Sequence, residues 1–222
     1  MKTSENMIAI IKKFEGLRLY PYLCQAGVLT IGYGHTIKSA KAKFMEEFYT
    51  SPQDIAKQHG IEKITEEQAE KYLYDDLEKF EKAINDLDLP LLQCEFDALV
   101  SFVFNVGIGN FNKSTLKKLL SQKKFFYAAK EFDKWVFAGG KKLPGLQNRR
   151  SKERKIFEGR KLEDYQDNEL DSLIENLNDD LKHSKSEIKK SEYQKNLAYL
   201  IENKILKSRI TELLEIINDA NL

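Results

Sequence analysis

Apolar residues recur at helical spacing from the start of the chain: Met7, Ile8, Ile10, Ile11 and Phe14 form one stripe with polar residues between them. Ser4 stands where a cap would open that helix, and Gly16 where it would close. Glu15 therefore takes the last helical position, beside a glycine at which the chain turns away. The period then shortens. Leu19 to Tyr22 and Val28 to Ile31 are β-prone runs joined by Leu23-Cys24-Gln25-Ala26-Gly27, a hairpin pattern with Gly27 near its turn. Gly32-Tyr33-Gly34 lets the backbone kink, or approach a neighbour closely, as the second strand ends. From Thr65 the helical period returns. Thr65-Glu66-Glu67-Gln68 reads as a capped start, with Ala69, Tyr72, Leu73 and Leu77 as the inner face. Phe96, Leu99, Val100, Val103 and Phe104 lie on a helix apolar enough to be central and buried. Shorter helices follow, from about Thr115 to Leu120 and through Phe125, Phe126, Ala129 and Phe132. Then come the lone Trp135, a turn at Gly139-Gly140, and a last helix around Arg149 to Phe157. This order predicts an α+β architecture, in which a small hairpin lobe is joined by a long helix to a larger helical lobe, with a C-terminal helical extension.

The extension is set off by its punctuation and its charge. The last glycine is Gly159 and the last proline Pro144, so nothing beyond them breaks a helix. Up to Gly159 there are 26 Lys and Arg against 21 Asp and Glu, and from Arg160 the count is 10 against 14. Residues 1–160 thus read as the main domain and 161–222 as a charged amphipathic tail. In the tail Leu170, Leu173, Leu177 and Leu181, then Leu197, Leu200, Ile201, Ile205, Ile210, Leu213 and Ile217, recur at three and four residues. The segment from Glu163 to Asp180 is acidic and that from Lys182 to Arg209 basic. A helical hairpin, or pairing between chains, would bury the stripe, so oligomerisation or docking to another protein is the expected role.

Composition excludes several classes. With 41% hydrophobic and 32% charged residues, wholesale disorder is ruled out. No apolar run approaches the roughly 20 residues of a membrane span, and Glu5, Asn6, Lys12 and Lys13 interrupt the N-terminus. The expectation is a chain made in the cytoplasm without a signal peptide and without direct membrane insertion. Two cysteines, Cys24 and Cys94, are too few for a disulfide framework. His35, His59 and His183 lack ligand spacing and the glycines form no phosphate loop, so no metal, cofactor or nucleic acid is expected.

Phe14-Glu15-Gly16, followed by Cys24, Thr30 and Ile31-Gly32-Tyr33-Gly34-His35-Thr36, resembles the phage-type lysozymes, the T4 lysozyme-like glycoside hydrolases and lambdoid phage endolysins. Their pattern is Glu, eight residues, Asp or Cys, five residues, Thr, and Glu15, Cys24 and Thr30 fall at that spacing. The likeness continues through Ala98-Leu99-Val100-Ser101-Phe102, Phe104-Asn105-Val106-Gly107, Trp135, Gly139-Gly140-Lys141 and Asn148-Arg149-Arg150, covering roughly residues 4 to 159.

Cleavage of a glycosidic bond needs one group to protonate the leaving oxygen and another to activate water or stabilise positive charge on the sugar. The resemblance implies Glu15 as the acid, Cys24 as the second group and Thr30 as the residue that positions water. A thiol of ordinary acidity is only a few per cent ionised at neutral pH, so Cys24 offers less standing charge than an aspartate but a competent base or nucleophile once deprotonated. The resemblance also implies that Arg149 or Arg150 faces Glu15, that His35 pairs with Asp76 in preference to Asp75, and that Tyr33, Thr36 and Phe104 contact substrate. The stretch 37–63 exceeds the family's usual connector and is a candidate extension of the groove. The implied activity is that of a muramidase cutting β-1,4 bonds between N-acetylmuramic acid and N-acetylglucosamine, reaching the peptidoglycan strands after membrane permeabilisation. The contrasting reading is a wall-binding or virion-associated protein with a weak or inactive Cys24 site.

Overall fold

The computed structural model describes residues 1–24, 27–37, 57, 60 and 63–159, together with 174, 175, 178, 194, 197, 198 and 201. The first helix, α1 (Glu5–Glu15), opens where the Ser4 hydroxyl accepts from the Met7 amide and ends at Gly16, whose φ of 72° is costly for any side chain. Its start is bound to two other helices. The Thr3 amide and hydroxyl both donate to Glu81 Oε1 at 2.8 Å, and the Ser4 amide donates to Asp97 Oδ1 at 2.9 Å. With its origin fixed and its length set by Gly16, α1 delivers Glu15 to one place.

Strands β1 (Arg18–Leu23), β2 (Leu29–Gly32) and β3 (His35–Thr36) form an antiparallel sheet in that order. Arg18 pairs with Gly32 and Tyr22 with Thr30, so β1 bulges between them. The sheet lies on α2 (Glu66–Asn85). Contact is close at Gly32, where a Cβ would meet that of Ala69 at 3.2 Å. A reciprocal capping box opens α2: the Thr65 hydroxyl accepts from the Gln68 amide, and the Gln68 side chain accepts from the Thr65 amide.

The core centres on α3 (Gln93–Val106), in which every residue from Glu95 to Val103 is buried. After it come α4 (Ile108–Asn112), α5 (Thr115–Ser121), α6 (Phe125–Glu131), a 3-10 turn (Phe132–Lys134), the hairpin of β4 (Phe137–Ala138) and β5 (Lys141–Lys142), and α7 (Pro144–Phe157). The last of these runs along α3. The fold is the α+β arrangement read from the sequence, with four local differences. Strand β3 and helix α4 are too short to show a period. The Gly139-Gly140 turn carries a small hairpin, and α7 begins at Pro144, whose fixed φ suits a first helical turn.

The chain divides into two compact units, Met1–Glu158 and Gly159–Leu222. In the second, the described residues Ile174, Glu175, Asn178, Gln194, Leu197, Ala198 and Ile201 are helical, with Leu197 half-buried and Ile201 exposed. The remaining positions of the tail stripe, and Phe44 to Asp54 of the long connector, lie outside the described residues.

Candidate active site

Glu15 ends α1 with its carboxyl between a helix and a turn. On the helix side, Arg149 Nη1 donates to Glu15 Oε1 at 2.6 Å, with side-chain exposures of 6% and 21% respectively. On the other, Gly34 passes so near that a Cβ there would lie 3.7 Å from Glu15 Oε2. With φ at +92°, Gly34 adopts a conformation that side chains rarely take, and the β2–β3 turn thereby runs past the carboxyl.

Of the two arginines left open by the sequence, Arg149 is the one on Glu15. Its Nε donates to Glu153 Oε1 at 3.0 Å and its Nη2 to the Ser101 carbonyl at 3.2 Å, while its guanidinium covers the Phe14 ring at 4.8 Å. Arg150 turns elsewhere, donating from Nη2 to Asn105 Oδ1 at 2.6 Å, with Nη1 3.1 Å from Glu153 Oε2 and its guanidinium over Phe102. Burial pulls the Arg150 pKa down to about 10 against the attraction of Glu153. The same burial pushes Glu153 above the usual carboxylate range, although Arg150, Arg149 and the Ser101 hydroxyl all pull it back. Ser101 and Asn105 fall in matched segments of the sequence but, like Glu153, carry no site role there. The i, i+3 and i, i+4 spacing of Arg150 and Arg149 to Glu153 was the available signal.

Across the sheet, Tyr22 pairs with Thr30 and Thr30 with Thr36, so the three stand in one row over three strands. Tyr22 is half-buried, Thr30 buried and Thr36 exposed. The Thr30 hydroxyl donates to the Val28 carbonyl at 2.9 Å, which leaves its oxygen as an acceptor. Cys24, half-buried and outside any disulfide, follows β1 directly, its amide donating to the Val28 carbonyl and its carbonyl accepting from Gly27. Tyr22 was not foreseen as a site residue. Burial raises its phenol pKa, Arg18 at 4.4 Å over its ring lowers it, and the charges of Glu15 and Cys24 raise it further. Tyr22 thus stands within electrostatic reach of both candidate catalytic groups.

His35 Nδ1 lies 2.8 Å from Asp76 Oδ2, and its ring stacks on Tyr72 at 4.6 Å. Lys79 takes the other oxygen at 2.9 Å. Burial would raise Asp76, but the bonds from His35 and Lys79 outweigh it and hold the carboxyl below its ordinary value. Among the expected substrate contacts, Thr36 is open to solvent and Phe104 is half-buried with Phe80 against it at 5.2 Å. Tyr33 instead packs in the core at 6% exposure, beneath Lys12.

Comparison with known proteins follows the same residues. The phage lysozyme family model matches residues 12–153. An endolysin of Acyrthosiphon pisum secondary endosymbiont phage 1 is 38% identical over 71% of this chain and 99% of its own length. The endolysin of Bacillus phage B103 is 41% identical over 71% of this chain, which spans only 54% of that relative. Among solved structures, the muramidase domain of SpmX from Asticaccaulis excentricus superposes with a TM-score of 0.57 at 32% identity, over 70% of this chain and 97% of that one. The endolysin from Escherichia coli O157:H7 phage FAHEc1 gives 0.55 at 39% identity, over 71% and 93%.

Proposed function

This chain belongs to the phage lysozyme family, and from that membership we propose that it is an endolysin in which Glu15, Cys24 and Thr30 carry out hydrolysis of peptidoglycan. It is a glycoside hydrolase of the lysozyme type. The bond cut is the β-1,4 link between N-acetylmuramic acid and N-acetylglucosamine. Glu15 passes its proton to the bridging oxygen as that oxygen leaves the anomeric carbon, and positive charge builds on the sugar ring. Water then adds to that carbon, held by a hydrogen bond to Thr30 Oγ1, and the ionised Cys24 thiol takes the water's proton. Thr36 and Phe104 contact the glycan.

The observation that carries this reading is the setting of Glu15: a carboxyl 21% exposed, held on one oxygen by Arg149 and bordered at the other by the Gly34 turn. Turbidity clearing of a peptidoglycan suspension tests it. Glu15→Gln is expected to abolish clearing, a loss of at least about 10²-fold, since a positioned acid contributes roughly that much. Unchanged clearing would overturn the assignment.

Two further parts of the proposal concern the whole protein. Its action on the wall follows a breach of the membrane, so expression in cells is expected to cause lysis only when a permeabilising agent is added. The segment 161–222 serves oligomerisation or docking. Its apolar positions, among them Leu197 and Ile201, support this, because an uncovered stripe costs about 25 cal/mol per Å². Truncation after residue 160 should leave a folded, active domain with fewer copies per particle by light scattering. An unchanged number of copies per particle together with unchanged wall attachment would remove that role.

A further inference from the structure

Arg149 is a planar cation held at three corners: Nη1 by Glu15, Nε by Glu153 and Nη2 by the Ser101 carbonyl. A guanidinium fixed at two corners has little freedom at the third, so whatever sets Nε and Nη2 also sets where Glu15 Oε1 sits. Ser101 Oγ, donating to Glu153 Oε1 at 2.7 Å, locks Glu153 in turn. Glu153 is 1% exposed, one helical turn beyond Arg149, and no group of the proposed reaction touches it.

The groups facing one another here are Glu15 from α1, the neutral Ser101 and Asn105 from α3, and Arg149, Arg150 and Glu153 from α7. Two carboxyl groups face two guanidiniums. Without Glu153 the two cations would be balanced by Glu15 alone, and a buried unbalanced cation strongly favours the ionised form of a carboxyl beside it.

We infer that Glu153 is a positioning residue for this enzyme: it aims Arg149 at Glu15 and supplies the counter-charge to the two guanidiniums buried beside it. The inference rests on the reading of Glu15 as the acid. Burial raises the Glu153 carboxyl and lowers the Arg150 guanidinium, so each depends on the other for its charge.

The test compares pH profiles of wall clearing for the full chain and three variants, with kcat and KM measured on a soluble glycan. Glu153→Gln keeps an acceptor for Arg149 and Ser101 but removes the charge. Its alkaline limb is expected about one pH unit lower than that of the native enzyme, with kcat reduced about tenfold and KM within about twofold. Glu153→Asp, which restores the charge, should bring the limb back. Arg150→Gln removes a cation and leaves Glu153 wholly to Arg149, so its limb should move the opposite way. Glu15→Gln runs alongside: if it still clears walls, the reading of the acid fails. If it is dead while a folded Glu153→Gln or Arg150→Gln keeps the native profile, the positioning role alone fails. Collapse of both variants to unfolded protein would assign the pair to the core and also overturn it.

Discussion

The surroundings of Glu15 and those of Cys24 are built from contacts of very different reach. Glu15 is held by Arg149, 134 residues away in the chain, and Arg149 by Ser101 and Glu153 on two helices. Thr30 is held by a carbonyl two residues back, and the Cys24 amide binds that same Val28 carbonyl. The first side is a buried charge cluster that exists only when α1, α3 and α7 have docked. The second is the end of a hairpin, fixed by its own strand pairing. Damage to the first should therefore cost stability and activity together, and damage to the second activity alone.

Arg149→Ala is the severest test of that contrast. It strands Glu153 without one of its two cations and leaves Glu15 unheld, so wall clearing should fall at least about 10²-fold. Stability in denaturant should fall by about 3 to 5 kcal/mol, as for a broken buried pair. A variant that melts like the native protein would show the cluster to be dispensable to the fold.

Cys24→Ser asks the same of the strand side. Clearing is expected to drop about 10²-fold, with stability within about 1 kcal/mol of native, and Cys24→Asp should recover activity. Alkylation of protein carrying Cys94→Ser should mimic the loss. Full activity after alkylation would take the thiol out of the reaction.

Gly34→Ala probes where the two sides meet. The new methyl group would stand 3.7 Å from Glu15 Oε2 on a backbone of positive φ. A cost of about 1 kcal/mol in stability and about tenfold in clearing is expected, from strain and from displacement of the acid. Clearing that stays native while stability falls would mean that the turn does not constrain Glu15.

The smallest effect belongs to Asp76, which ties the sheet to α2. The fold holds its carboxyl below the ordinary value, so it stabilises the protein above the unfolded pKa of about 3.9, and this is lost as pH falls through the folded one. Asp76→Asn should therefore cost about 1 kcal/mol near pH 7 and almost nothing near about pH 2. Urea melts at the two pH values check it, and an equal deficit at both would assign the effect to packing.

How much of this was legible in the sequence follows the same division between local and distant. Ser4, Gly16, the Thr65 to Gln68 box and the β1–β2 pairing announce themselves because caps and hairpins are made by neighbours. The choice between Arg149 and Arg150 was not legible. Adjacent helical residues point about 100° apart, and only the docking of α7 on α3 turns one toward Glu15. Glu153 was hidden because a carboxylate three and four residues from two arginines reads as a solvated surface pair until its burial is known. Tyr33, a substrate contact by the family resemblance, is buried instead, because it sits in the turn after β2 between two glycines of positive φ and its ring packs into the core. Strand β3, two residues long, has no pattern to read.

The aromatic ring beneath Arg150 has an optical consequence. Phe102 carries that guanidinium on its face at 4.8 Å and meets Trp135 edge to face at 5.5 Å. Trp135 is the chain's single tryptophan, so all of the indole emission comes from a fluorophore one phenyl ring away from the buried charge cluster. Indole emission follows the polarity and order of its surroundings. A shift of Arg150 that moves Phe102 is therefore written into the colour and intensity of one unlabelled residue, and the docking of the helices that hold Glu15 can be followed in real time by light alone.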